Sequence, residues 1–168
     1  MVLLLLAAVA CSSGSGEPIA LLEYDATVPA SFVARPATSS MRLAEWSVSR
    51  TDDASAEVIV YYFGEGQGGS ADANIARWSS QFTSAEGGPV TPRVGTLDGT
   101  AFVTTVAEFE GAYARSVGMG GVSAEPDQAL VAAVVETPRG NLFLQLFGDR
   151  VAVAEAREDF LEMVGSIR

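Results

Sequence analysis

Residues 57–82 read EVIVYYFGEGQGGSADANIARWSSQF, and the fold turns on them. After the leading Glu57, residues 58–63 are all β-branched or aromatic, a composition that suits a central strand. The glycine-rich segment 64–69 breaks that strand. Ser70 then stands where a helix N-cap is wanted, and Asp72 places a carboxylate in the first turn, near the positive end of the helix dipole. Ala71, Ile75, Trp78 and Phe82 recur at spacings of four, three and four. That is one apolar stripe of an amphipathic helix, and such a stripe needs a sheet face to cover.

Reading outward, residues 19–26 form a first strand stopped by Val28-Pro29. Residues 31–34 suggest a second short strand and 41–48 a third, with a turn at 51–54. Downstream, Gly87-Gly88-Pro89 closes the helical region. Residues 91–96 and 100–109 flank Leu97-Asp98-Gly99, a hairpin signal because Asp-Gly tolerates positive φ. Residues 111–127, which include Gly118-Met119-Gly120-Gly121, read as a mobile connection. Residues 129–136 and 141–147 form a second hairpin around Pro138-Arg139-Gly140. A final helix over 151–167 turns Val153, Phe160, Val164 and Ile167 inward, with Glu155, Arg157, Glu158, Asp159 and Glu162 outward. Hairpins dictate antiparallel pairing. The expected fold is therefore α+β, a central antiparallel sheet flanked by two main helices, in one α/β/α domain over residues 19–168.

The chain has 168 residues, 48% of them hydrophobic. One domain takes roughly 100–200 residues, and a core of that size needs no disulfide or metal. The net charge of −11 argues against nucleic acid, whose binding depends on basic groups displacing counterions. There is no His, and all ten basic residues are Arg. Imidazole-based nucleophile systems and zinc sites are excluded, as are Schiff-base and Walker-type lysine chemistry. What remains is carboxylate acid/base work, a Tyr or Ser assisted by a carboxylate, and oxygen-only sites for calcium or magnesium.

Residues 2–10, VLLLLAAVA, lead directly into Cys11, the only cysteine, and then into Ser12-Ser13-Gly14-Ser15-Gly16. Nine apolar residues are too few for a membrane-spanning helix, which needs about 20, but they match the apolar region of a secretory signal. Small residues running into a lone Cys resemble a bacterial lipobox. The expectation is a signal peptide over 1–10, a lipidated Cys11 with a flexible tether over 11–18, and anchorage in the lipid bilayer through acylated Cys11. Acyl chains at ~0.8 kcal/mol per buried methylene hold such an anchor firmly. Ser12 after the Cys favours the outer membrane over the inner, with the domain facing the periplasm.

The run Gly64-Glu65-Gly66-Gln67-Gly68-Gly69 satisfies G-x-G-x-x-G after a strand and before a helix. In a dinucleotide site, such glycines let backbone amides approach a pyrophosphate. Here Glu65 would set a carboxylate beside the phosphates, and no acid-ended strand follows about 20 residues on. The segment reads instead as a flexible strand-to-helix loop, and no cofactor is expected. Around it Glu65, Gln67, Asn74, Arg77 and Gln81 gather polar groups at one helix start beside Trp78; they are the candidate recognition surface. Trp46 and Trp78 read as core anchors, and Met119 as a surface methionine in a glycine loop. The acid pairs Asp52-Asp53, Glu108 with Glu110, and Glu158-Asp159 lack the spacing of a calcium loop and read as surface acidity.

Met41-Arg42-Leu43-Ala44, the run Val60-Tyr61-Tyr62-Phe63-Gly64, and above all Gly68-Gly69-Ser70 with Asn74-Ile75-Ala76-Arg77-Trp78 and Gln81-Phe82 resemble a family of uncharacterised bacterial lipoproteins. The strand–helix–strand order also resembles the PsbP-like fold, whose members are accessory or assembly proteins rather than enzymes. That family's Pro-x-Gly-Trp stands here as Pro29-Ala30-Ser31-Phe32. With the absence of His and Lys, the expectation is a cell-envelope lipoprotein, a non-catalytic binding or assembly module that takes an envelope protein or another envelope component through the loops around 64–69 and 111–127. The alternatives from other classes are a carboxylate-dependent hydrolase and a calcium-binding module.

Overall fold

A computed structural model describes residues 16–49, 54–117 and 121–168. The chain opens with a hairpin of β1 (Glu17–Leu21) and β2 (Tyr24–Val28). There follow β3 (Val33–Arg35), β4 (Arg42–Ser49), β5 (Ser55–Tyr62), α1 (Ala71–Ser79), β6 (Phe82–Thr83) and β7 (Arg93–Thr96). Then come β8 (Val103–Val117), β9 (Gly121–Thr137), β10 (Gly140–Asp149) and α2 (Arg150–Gly165). The main sheet is antiparallel throughout in the order β3-β4-β5-β10-β9-β8-β6, with β7 also on β8. The expected α+β architecture is the one found.

Strand alternation divides the sheet into two chemically different faces. Val58 and Val60 of β5, Leu142, Leu144 and Leu146 of β10, and Val131, Ala133 and Val135 of β9 face α2. That helix buries Ala152, Val153, Ala156, Phe160, Met163 and Val164 against them. The β1–β2 hairpin packs into the same core through Leu21, Tyr24, Ala26 and Val28. The C-terminus ties it down: Asp25 exchanges two backbone hydrogen bonds with Arg168, at 3.0 and 3.1 Å. The opposite face carries Phe109, Leu130, Ala132, Val134 and Phe143, on which α1 lays Trp78, Ile75 and Ala71.

Two readings of the sequence need correction. The strand expected over 19–26 is a hairpin, turning at Leu22-Glu23 with Leu22 at φ 60°. Such a conformation normally draws Gly, Asn or Asp, and a leucine announces no turn. Residues 111–127, expected as a mobile connection, are strand through Val117 and again from Gly121. β8 and β9 continue as one long hairpin, with a register shift between Gly111 and Tyr113. The Gly and Pro residues that suggested a loop mark this irregularity, as bulged strands commonly do. The turn at 51–54 falls, except for Ala54, outside the described residues, as do Asp52-Asp53 and Met119.

Glu108 pins α2 to the sheet. Its carboxylate accepts from Arg157 at 2.7 Å and from Arg93 at 2.8 Å. The hydrogen bond from Arg157 leads in holding the Glu108 carboxyl below its ordinary value near 4.5; burial works against it, and Arg93 reinforces it. A depressed folded-state pKa means stability that is complete above the ordinary value and lost as pH falls through the lower one. Glu108→Gln is expected to cost about 1–2 kcal/mol at neutral pH, the scale for a partly exposed charged hydrogen bond. It should also flatten the loss of stability below pH 4.5. Urea unfolding of both proteins across pH 3–7 checks this; identical pH profiles would remove the clamp.

Candidate functional site

The face covered by α1 holds an open groove of about 470 Å³. Its floor follows from strand alternation: Ile59 and Tyr61 of β5 and Phe143, Gln145 and Phe147 of β10 share that face. Phe63, Tyr113 and Trp78 complete an aromatic lining. The rings meet in two groups, Tyr61 parallel to Phe63 at 6.0 Å with Phe143 edge-on to Phe63, and Tyr113 tilted on Phe147 at 4.6 Å. Met41 and Arg42 border it from the β4 side, Arg77 and Gln81 from α1. Volumes of roughly 300–1,000 Å³ with apolar walls and a few polar groups are typical of small-ligand sites.

The glycine loop builds the α1 side of this groove. Gly68 lies against the floor itself: a Cβ there would come within 2.6 Å of Phe143 Cε2 and 2.9 Å of Phe63 Cδ2, and its φ is +85°. Ser70 caps the helix by accepting the Ala73 N–H at 3.2 Å. Asn74 is buried beneath the loop and donates to the Gly68 carbonyl at 2.8 Å and the Ser70 carbonyl at 2.9 Å. Both amide hydrogens are thereby used, which leaves Oδ1 to accept from Arg77 Nη2 at 2.7 Å. The Arg77 guanidinium lies 6.0 Å from the Trp78 ring centroid, within cation–π range.

Five residues formed the candidate recognition surface, and the structure separates them. Arg77 and Gln81 line the groove, and Asn74 orients Arg77 from below. Glu65 and Gln67 are exposed on the loop, away from the groove lining. Arg42, Tyr61, Tyr113, Gln145 and Phe147 were missed. The alternating run from Phe143 to Phe147 was the available signal, since every second residue there is aromatic or polar.

Arg42 lies over the Tyr61 ring at 5.5 Å and pairs with Glu45 at 3.0 Å. Glu45 is buried, and Thr38 donates to it through both its backbone N–H and its hydroxyl. Burial alone would raise the Glu45 carboxyl, but the Thr38 hydrogen bonds and the Arg42 charge outweigh it and hold the group below its ordinary value. Burial pushes the Tyr61 phenol up, against the pull of Arg42, so the hydroxyl remains a donor at neutral pH. Trp46 is buried in the core on the α2 face, as a core anchor should be. Glu108 and Glu110 share one strand face, and Glu108 is the ion-pair centre described above. Among the described residues, no group of three or more acids or cysteines is placed to hold a metal ion.

No protein-family model matches the chain, and no curated protein matches it. Among solved structures it is similar to cyanobacterial PsbP (CyanoP) from Synechocystis sp. PCC 6803, determined in solution. The two share 14% identity over 98% of each chain, with a TM-score of 0.54. The fold is therefore PsbP-like, as the order of elements implied.

Gly68→Ala should be destabilising by about 2–3 kcal/mol, because it adds ring overlap to a strained backbone. Gly66→Ala, at φ +68° with nothing within 4 Å of the new carbon, should cost only about 1 kcal/mol from backbone strain. Thermal unfolding of the pair measures the difference. Equal losses would mean that the loop does not depend on contact with Phe143 and Phe63.

Proposed function

We propose that the chain is a lipid-anchored protein of the bacterial cell envelope, held by acylated Cys11, whose domain binds a partner in the α1-face groove without catalysing a reaction. Residues 1–15 lie outside the described residues, so the anchor rests on the sequence: an apolar run, small residues and a lone Cys11 before a Ser/Gly tether. Among the described residues no helix is long and apolar enough to cross a membrane. The outer membrane, with the domain facing the periplasm, is the location that Ser12 favours.

One observation carries the binding reading. The groove joins an aromatic floor to a positioned arginine and has, among the described residues, a single lining acid, Glu57, while the buried Glu45 and the ion-paired Glu108 lie outside that lining and are committed elsewhere. Glu45 is held by Thr38 and Arg42, and Glu108 by Arg157 and Arg93. Both are kept ionised below the ordinary carboxyl range, whereas a general acid working near neutrality needs its pKa raised. The PsbP-like fold supports the same reading by analogy alone.

Cys11→Ala should move the protein from the membrane to the soluble fraction; unchanged membrane association would refute the anchor. A photo-crosslinking side chain at Gln81, on the groove wall, should capture a discrete envelope component in intact cells. The same group at Glu155, exposed on α2, should not. Equal capture from both positions would remove the groove as the binding site.

A further inference from the structure

We infer that the groove takes a short peptide with apolar side chains and free termini, an inference that rests on the groove being the binding site. Four of its polar side chains point to this ligand. Arg77 gives a hydrogen bond to the neutral Asn74 and meets no carboxylate among the described residues. Glu57 lines the same groove and meets no guanidinium at ion-pair distance among those residues. The side-chain amides of Gln81 and Gln145 also line it, and neither is hydrogen-bonded within the described protein. Arg42 does not enter this set, because Glu45 already neutralises it.

An anion would suit Arg77 and be repelled by Glu57, and a cation the reverse. A ligand carrying one charge of each sign suits both. A peptide with free ends does so, its carboxylate on Arg77 in a charge-assisted hydrogen bond and its ammonium on Glu57. Each glutamine amide offers a donor and an acceptor, the same complement as a peptide group. Apolar side chains then cover the rings of Tyr61, Phe63, Phe143 and Phe147, where burial supplies the nonspecific part of the affinity. Three extended residues reach about 10 Å, and a groove of about 470 Å³ accommodates a ligand of that size. The ligand's two charges cancel, so the −11 of the whole chain does not oppose its approach.

The test uses the purified full chain carrying Trp46→Phe, which leaves Trp78, on the groove wall, as the only tryptophan. The probe is the tripeptide Phe-Leu-Phe, titrated as the free, N-acetylated, C-amidated and doubly capped forms. The free form should quench Trp78 saturably, and each cap should weaken binding about tenfold. Arg77→Gln should abolish the difference between acid and amide while leaving that between amine and acetyl. Glu57→Gln should do the converse. The inference is overturned if the doubly capped peptide binds as well as the free one, if only one terminus matters, or if no form binds. In each of those cases the contrast between crosslinkers at Gln81 and Glu155 still decides separately whether the groove binds anything. Loss of the peptide and loss of the site are thus distinct results.

Discussion

Strand β10 fixes the rest of the molecule, because it is paired on both sides and must satisfy two faces at once. Its neighbours β5 and β9 leave it no freedom of register, since a slip of one residue would exchange the faces. Leu142, Leu144 and Leu146 therefore meet the aliphatic core under α2, while Phe143, Gln145 and Phe147 meet the side of α1. The two layers are unequal. α2 has 16 residues and is joined by the β1–β2 hairpin, whereas α1 has nine. A nine-residue helix is about 13 Å long, and seven strands spread over about 29 Å. The short helix cannot roof its face, and the groove occupies what it leaves open.

The glycine loop acquires its meaning from that geometry. Glycines between a strand and a helix suggest room for a phosphate, yet here they make room for rings. Gly68 lies where any side chain would strike Phe143 and Phe63. The carbonyls of Gly68 and Ser70 are turned onto Asn74, and Asn74 in turn holds Arg77. A short sequence segment thus sets both the height of α1 above the sheet and the direction of one guanidinium. Because Asn74 uses all of its amide hydrogens on backbone, Arg77 is held with little left to reorganise, which favours recognition by lowering the cost of ordering it.

Local chemistry made much of this visible beforehand. The Ser70 cap, the Ala71–Ile75–Trp78 stripe and the turns at Asp98-Gly99 and Arg139-Gly140 each carry a short-range signal. The α2 core positions follow from spacing alone. What stayed hidden is non-local or carries no turn signature. Leu22 takes a left-handed turn without the residue types that announce one. The groove depends on β10 entering between β5 and β9, which brings Tyr61, Tyr113 and Phe147 together from three separate strands. Arg77 and Gln81 could be selected from the helix start because they belong to one local segment. Arg42 and Gln145 could not, since only the sheet order carries them to the same site.

Charge follows the same division. Acids outnumber bases by 21 to 10, and four of the described arginines have carboxylates close by. Arg93 and Arg157 converge on Glu108, Arg42 meets Glu45, and Arg139 approaches Glu23 at 3.8 Å. These pairs hold elements together: Glu108 joins α2 to β7 and β8, and Glu45 joins the Thr38 loop to β4. Arg77 differs from them in kind. Its neighbours are a neutral amide and an indole ring, which orient the guanidinium without cancelling its charge. A glutamine there could keep the hydrogen bond to Asn74 but not the cation–π contact with Trp78. Neither neighbour carries a negative charge, so the positive charge of Arg77 is left uncancelled on the groove wall.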